Sequence, residues 1–294
     1  MAYDEERHYE VIEDKPMNRE QRQAIWDMAS GLQLADGLEV TEVAKNAASK
    51  YISGSSTATE ARRAVERHYQ EDQRKSEESE ADLVSMRITQ MLDSDNLGTK
   101  FDFSPKGLAT LHYLLFKDVL PNEWVGRWRN ENISKIEPIL GGRTVLYGNC
   151  SEIQALLDFD FEGERNHTFN KPLKPDDARH VADFSAGIWQ THPFREGNTR
   201  TVAVFSQMYL RRLGFEVSNE VFRENGLLFR DAMVRASFMD IDLHVNPNRS
   251  FIEEFYECVC FGRKIDVSRF DMNLHGIRNR PVDEEPYRTL DDYR

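Results

Sequence analysis

Cysteine is scarce in this chain: Cys150, Cys258 and Cys260 are the three in 294 residues. An odd, widely spaced set of this size cannot build a disulfide framework, and Cys258-Val259-Cys260 lacks the two-residue spacer of a zinc knuckle. The cysteines are therefore expected to be reduced core thiols. Long apolar runs are absent too, so no membrane-spanning helix of about 18 or more residues is expected. Residues 1–18 are acidic and carry no signal-peptide apolar stretch. A soluble, cytoplasmic protein is the expectation, with secretion by a route needing no N-terminal signal left open. Positive charge is in deficit, 38 Lys plus Arg against 51 Asp plus Glu, for a formal net charge of -13. Binding to duplex DNA draws on phosphate neutralisation by basic side chains. That partner is disfavoured, as is an anionic membrane surface, while a local basic groove for one nucleotide stays compatible.

What is present is apolar and aromatic: 39% hydrophobic and 11% aromatic residues, with 17 Phe. That is enough for a buried core, and the length suits two domains at roughly 100–200 residues each. Residues 18–69 read as three short helices: Ile25, Met28, Ala29 and Leu32 at helical spacing behind the N-cap Asn18, then 40–51, then 58–69 after a Ser-Gly-Ser-Ser turn. The densely charged residues 70–82 read as a flexible linker or an exposed charged helix, and either marks a boundary. Helices are expected again at 83–92, 104–116, 151–157, 175–190, 199–213, 222–238 and 250–261. Between Trp124 and Tyr147, β-formers separated by Gly126, Pro138, Gly141 and Gly142 read as a short β-hairpin. The tail beyond Gly262 is polar and reads as irregular.

The segment richest in chemistry is Thr191-His-Pro-Phe-Arg-Glu-Gly-Asn-Thr-Arg200, lying between two expected helices. Backbone N–H groups entering a helix lack intrahelical acceptors and sit at the positive end of its dipole, so they suit an anion. Gly197 permits close backbone approach, Asn198 tolerates unusual dihedrals, and the Arg200 fork can grip a phosphate. Glu196 can hold magnesium through oxygen, and His192 is a natural general base. These parts suit attack by a hydroxyl on a phosphate.

HPFREGNTR resembles the signature of the Fic family, HxFx(D/E)GNxRxxR, and the resemblance runs from about residue 83 to 262, including WVGRWRNENISK and the GIWQ before the motif. It implies a mostly α-helical Fic fold with a hairpin flap, and transfer of AMP from ATP to a hydroxyl side chain of a target protein, Tyr, Ser or Thr. By position, it makes His192 the base, Phe194 the loop's anchor in the core, and Glu196 the ligand of a magnesium ion bridging the α and β phosphates. The N–H groups of Gly197, Asn198 and Thr199 would receive the phosphates, Asn198 would position the α-phosphate, and Arg200 would bind the β-phosphate; Arg195 could contribute or face solvent. The flap would be Ile139, Leu140, Gly141, Gly142, Arg143, Thr144, Val145, Leu146 and Tyr147, clamping the target backbone by strand addition. Two positions depart from the signature. Thr199 replaces the commoner Gly, and Ala203 stands where the final Arg, a γ-phosphate contact, would be. Transfer of phosphate or another phosphate-linked group therefore stays open, as does a catalytically weak binding protein.

The three N-terminal helices are similar to antitoxins of the VbhA type, on GLQLADGLE and YISG. This gives an expected plan of an antitoxin-like module over 1–70, a charged linker over 71–82, a Fic domain over 83–263 and a polar tail over 264–294. In such antitoxins the pattern (S/T)xxxE(G/N) sets a Glu against the signature's last Arg. Here Asp36 takes the Glu position and Leu32 the Ser position, so both ends of that salt bridge are altered. The expectation is a module that packs on the catalytic domain without inhibiting through that pair. Ser56-Thr-Ala-Thr-Glu60 also fits SxxxE, but Glu60 reads better as part of a helix cap. The aromatics Trp124, Trp128 and Trp189 read as core or flap packing, His167, His180 and His244 have no evident partner, and Glu77 to Asp82 reads as a solvated face.

Overall fold

The computed structural model describes residues 17–72, 77–93 and 101–274. Its first helix, α1 (Arg19–Leu34), starts at Asn18, whose carboxamide forms a reciprocal capping box with Gln21. Helix α2 (Glu42–Ile52) is capped by Thr41, and α3 (Ala58–Asp72) by a Thr57–Glu60 exchange of side-chain and backbone bonds. Glu60 is thus a cap on the exposed surface.

Helix α4 (Glu77–Leu92) begins inside the stretch read as a linker, and the expectation of a solvated charged face there is corrected. Asp82 is 0% exposed. Its carboxylate accepts from the Thr41 backbone N–H at 2.7 Å, the Thr41 hydroxyl at 2.6 Å and the Tyr69 hydroxyl at 2.8 Å. One buried charge with three donors fastens α2, α3 and α4 together, which is how it tolerates removal from water.

The remaining helices are α5 (Pro105–Phe116), α6 (Ile153–Arg165), α7 (Pro175–Thr191), α8 (Asn198–Leu213), α9 (Asn219–Glu224), α10 (Gly226–Ser237) and α11 (Ser250–Phe261). The single helix expected over 222–238 breaks at Asn225, whose side-chain amide donates to the Val221 carbonyl at 2.9 Å. Almost every residue of α8 from Asn198 to Leu210 is buried, so this helix is the axis of the domain. The tail after Gly262 forms one 3-10 turn, Val267–Arg269; residues 275–294, 1–16, 73–76 and 94–100 lie outside the described residues.

Two apolar cores form. The larger gathers α5 to α11, and the smaller holds Trp26, Ala44, Ala48, Tyr51, Ile52, Val65, Leu83 and Met86. Helix α1 serves both: Trp26 faces the small core, while Ile25, Met28, Ala29 and Leu32 enter the large one. Helix α4 does the same, with Leu83 and Met86 on one side and Val84, Ile88 and Leu92 on the other. The backbones of α1 and α10 cross closely at two glycines. A Cβ on Gly226 would stand 2.7 Å from the Gly31 carbonyl oxygen, and one on Gly31 would stand 2.8 Å from the Arg223 carbonyl oxygen.

Among the described residues no β-strand forms, and the expected hairpin is reduced to one antiparallel bridge, Glu137 to Arg143, around a 3-10 turn at Pro138–Leu140. Ile139, Leu140 and Val145 are drawn into the core, which holds the turn without a ladder. Residues Thr144 to Tyr147 alternate exposed and buried, with Leu146 at 78% exposure. No helix among the described residues is long and apolar enough to cross a membrane.

Candidate active site

The turn from α7 to α8 puts the signature residues at the centre of the molecule. Helix α7 ends on His192, a left-handed residue at φ 49°, and α8 starts after Gly197 at φ 76° with no side-chain cap. A Cβ on Gly197 would lie 2.5 Å from the Phe116 ring, so only glycine meets both the backbone conformation and the packing here. The uncapped first turn leaves N–H groups at the positive end of a buried helix.

His192 is buried and its ring is held on several sides. Nδ1 lies 3.1 Å from the Trp189 carbonyl oxygen, which can only accept, so Nδ1 carries the proton. Nε2 is buried and has no hydrogen-bond partner, so its lone pair is unspent. The Tyr147 ring stacks on the imidazole at 4.0 Å and 26°, and Trp189 stands edge-on at 5.2 Å and 88°. Burial, reinforced by the nearby Lys135 ammonium, pushes the imidazole well below its ordinary pKa and keeps it neutral.

The loop is braced from within. Asn198 Oδ1 accepts the Phe194 N–H at 2.9 Å, and Nδ2 donates to the Phe194 carbonyl at 2.8 Å. Both ends of this amide are therefore spent on loop geometry. Phe194 is buried and stacks on His112 at 3.8 Å and 14°. His112 Nδ1 accepts the Gly126 N–H at 2.9 Å, so its Nε2 bears the proton donated to the Glu196 carbonyl at 3.0 Å. Burial lowers the His112 pKa to about 4.

Arg129 closes the end of α7. Its guanidinium donates to the carbonyls of His192 at 2.8 Å, Thr191 at 3.3 Å, Glu131 at 2.8 Å and Gly148, and its own N–H bonds the Pro193 carbonyl at 2.8 Å. A cation at a helix C-terminus meets both the orphan carbonyls and the dipole. Arg195 pairs with Glu131 and lies 4.6 Å over the Trp124 ring, so it is tethered at the rim.

Glu196 is half-exposed and pairs with Lys135 Nζ at 2.9 Å. Among the described residues no group of three or more His, Cys, Asp or Glu is arranged to hold a metal. A single accessible carboxylate still suits magnesium, which takes one or two protein oxygens and completes its shell with water and substrate phosphate.

Arg200 is enclosed, with its side chain 4% exposed. Nε lies 2.8 Å from Asp36 Oδ2, an ion pair whose N–H is not aimed along the contact. Nη2 meets Glu80 at 2.7 Å, Nη1 donates to Gln33 Oε1 at 2.9 Å, and the Phe116 ring lies 4.8 Å from the guanidinium carbon. Asp36 therefore has a partner, but one turn before Ala203, which is fully buried. Position 203 has no charge to offer, and Asp36 pairs instead with Arg200, a contact not expected from the sequence. His180 and His167 also have partners, His180 bonding Glu164 at 2.6 Å and stacking on His167 at 3.4 Å.

Arg129, His112, Lys135 and the Glu80 and Gln33 contacts escaped the sequence reading. The run WVGRWRNENISK contains two of these residues, and its density of basic and aromatic side chains was their one local signal.

A neutral buried histidine, an uncapped helix N-terminus and an enclosed arginine thus lie within nine residues of one another in a helical domain. The Fic/DOC family model matches residues 102–210. A "Probable protein adenylyltransferase y4lH" of Sinorhizobium fredii is 31% identical over 170 residues, 58% of this chain and 81% of that protein. The chain belongs to the Fic/DOC family. Among solved structures, a Fic family protein from Desulfovibrio desulfuricans superposes with a TM-score of 0.50 at 14% identity, over 81% of this chain and 62% of that one. The N-terminal Fic domain of a VirB-translocated effector from Bartonella sp. 1-1C gives a TM-score of 0.46 at 17% identity, over 63% of this chain and 86% of that one.

Proposed function

We propose that the protein is an adenylyltransferase that moves AMP from ATP to a hydroxyl side chain of a target protein. The observation that carries this reading is the His192 tautomer: a protonated Nδ1 anchored on the Trp189 carbonyl and a buried, unpartnered Nε2. Nε2 takes the proton of the target hydroxyl as its oxygen attacks the ATP α-phosphorus; the bond to the bridging oxygen breaks and pyrophosphate leaves. Backbone N–H groups at the start of α8 receive phosphate oxygens, and Arg200 neutralises the β-phosphate once freed. Glu196 would hold magnesium, which when bound offsets charge on the α and β phosphates. The similarity to a probable protein adenylyltransferase of Sinorhizobium fredii supports this chemistry. Segment 144–147, whose residues alternate exposed and buried, supports a role in lining up a target backbone.

We read the N-terminal helices as an antitoxin-like restraint on this site. Asp36, Glu80 and Gln33 occupy the guanidinium that a nucleotide would need, so ATP must displace them. Phosphate transfer is the second reading, favoured by Ala203, which offers no charge for a terminal phosphate. The test is incubation of protein and cell extract with ATP labelled at the α or the γ position, beside a His192→Ala control. Label from α alone, lost in the control, is expected; label from γ sinks AMP transfer in favour of phosphorylation.

A further inference from the structure

Thr199 stands at a variable position of the signature where Gly is commoner, and its hydroxyl is put to use. Thr199 Oγ1 accepts the Trp189 indole N–H at 3.0 Å, across the turn between the last residues of α7 and the first of α8. Both residues are buried, so an indole N–H without this acceptor would stay unsatisfied away from water. Trp189 in turn holds His192 at two points: its carbonyl accepts from Nδ1 at 3.1 Å, and its ring stands edge-on to the imidazole at 5.2 Å. The same indole meets the Tyr147 ring at 5.8 Å and 68°, and Tyr147 covers the imidazole face. A glycine at position 199 would offer the indole no side-chain oxygen.

We infer that Thr199 is a positioning residue for the base: its hydroxyl locks the Trp189 indole, and that ring, edge-on to the imidazole, fixes the orientation and shielding of His192. The inference rests on His192 being the base, but the lock itself exists without substrate. Thr199 replaces main-chain freedom at the start of α8 with a bond joining the two helices that flank the loop. Burial behind the Trp189 and Tyr147 rings is also what holds the imidazole neutral, so loosening one wall admits water to Nε2.

The test compares Thr199→Val, which keeps the shape and removes the acceptor, with Thr199→Ser, which keeps the acceptor. Nitrogen NMR of the full-length protein without nucleotide reads the His192 tautomer and titration. Thr199→Val should move the titration upward toward the ordinary imidazole range and shift the indole N–H of Trp189, while the tautomer, held by the Trp189 main-chain carbonyl, stays as it is. Thr199→Ser should keep the wild-type spectrum. In AMP transfer, Thr199→Val should lower kcat about fivefold, the worth of one buried hydrogen bond, with KM for ATP unchanged. Trp189→Phe, which removes the donor instead, should give the same His192 changes, and the double variant should add nothing further. An unaltered His192 spectrum and titration in a folded Thr199→Val protein overturns the inference. Changed spectra in a protein whose wild type transfers no AMP would support the lock and overturn the adenylyltransferase reading alone.

Discussion

Arg200 Nε and Asp36 Oδ2 stand 2.8 Å apart, joining the turn after α1 to the first turn of α8. The contact ties the residue expected to meet the β-phosphate to the segment that resembles an antitoxin. Where the antitoxins that this segment resembles would pair a Glu with the last signature Arg, this chain has Asp36 and Ala203. The acid reaches the earlier Arg instead, with help from Glu80 and Gln33.

Asp36→Ala is expected to raise ATP affinity. The pair is mostly buried, so its removal should be worth about 1 to 2 kcal/mol, or roughly tenfold in Kd. Adding Glu80→Gln should increase the gain further, because Glu80 holds the same guanidinium. Calorimetric titration with ATP reads both, and an unchanged Kd in the double variant would remove the restraint from the account.

The signature loop was legible in the sequence because its chemistry sits in nine consecutive residues. His192, Glu196 and Gly197 lie in the turn between α7 and α8, and Arg200 lies in the first turn of α8. The start of α4 was not legible: Asp82 and Glu80 look like solvated charges until Thr41, Tyr69 and Arg200 are brought to them from distant parts of the chain. The hairpin was half legible. Gly141 and Gly142 do make a turn, but Ile139, Leu140 and Val145 go into the core and leave one bridge in place of a ladder. Arg129 and His112 were invisible because their work is bonding backbone carbonyls and N–H groups, which no side-chain motif announces.

Lys135→Ala should make Glu196 easier for magnesium to reach. The pair is partly exposed, so about two- to fivefold less magnesium should give half-maximal activity. A magnesium titration of the labelling rate measures this directly; a higher requirement would mean that Lys135 assists the metal rather than competing with it.

Gly226→Ala pushes a Cβ to 2.7 Å from the Gly31 carbonyl, a backbone atom that no rotamer change can move. Loss of about 1 to 3 kcal/mol of stability is expected, read by denaturant unfolding. If α1 is pried from α10 in the process, Arg200 loosens and ATP affinity rises while stability falls. A surface mutation that merely destabilises would lower both.

His112 and His192 are buried neutral, with pKa values below that of the unfolded chain, at about 4 for His112 and well below the ordinary value for His192. Above about pH 6.5 both states are neutral and the groups do not affect stability. As pH falls below that value the unfolded chain takes up protons that the folded chain refuses, so stability drops, by on the order of 3 kcal/mol for His112 once pH passes about 4. His112→Gln should flatten this dependence between pH 6.5 and 4. Because His192 stays neutral, the acid limb of the pH profile of kcat/KM should lie below the ordinary imidazole range.

The most direct measurement is the labelling experiment on the freed enzyme: Asp36→Ala with Glu80→Gln, in cell extract, with ATP labelled at the α or the γ phosphate. The account predicts strong protein label from the α position, weaker label from wild type, and none when His192→Ala is added. Label from the γ position, label that survives His192→Ala, or no label from the freed enzyme would contradict it.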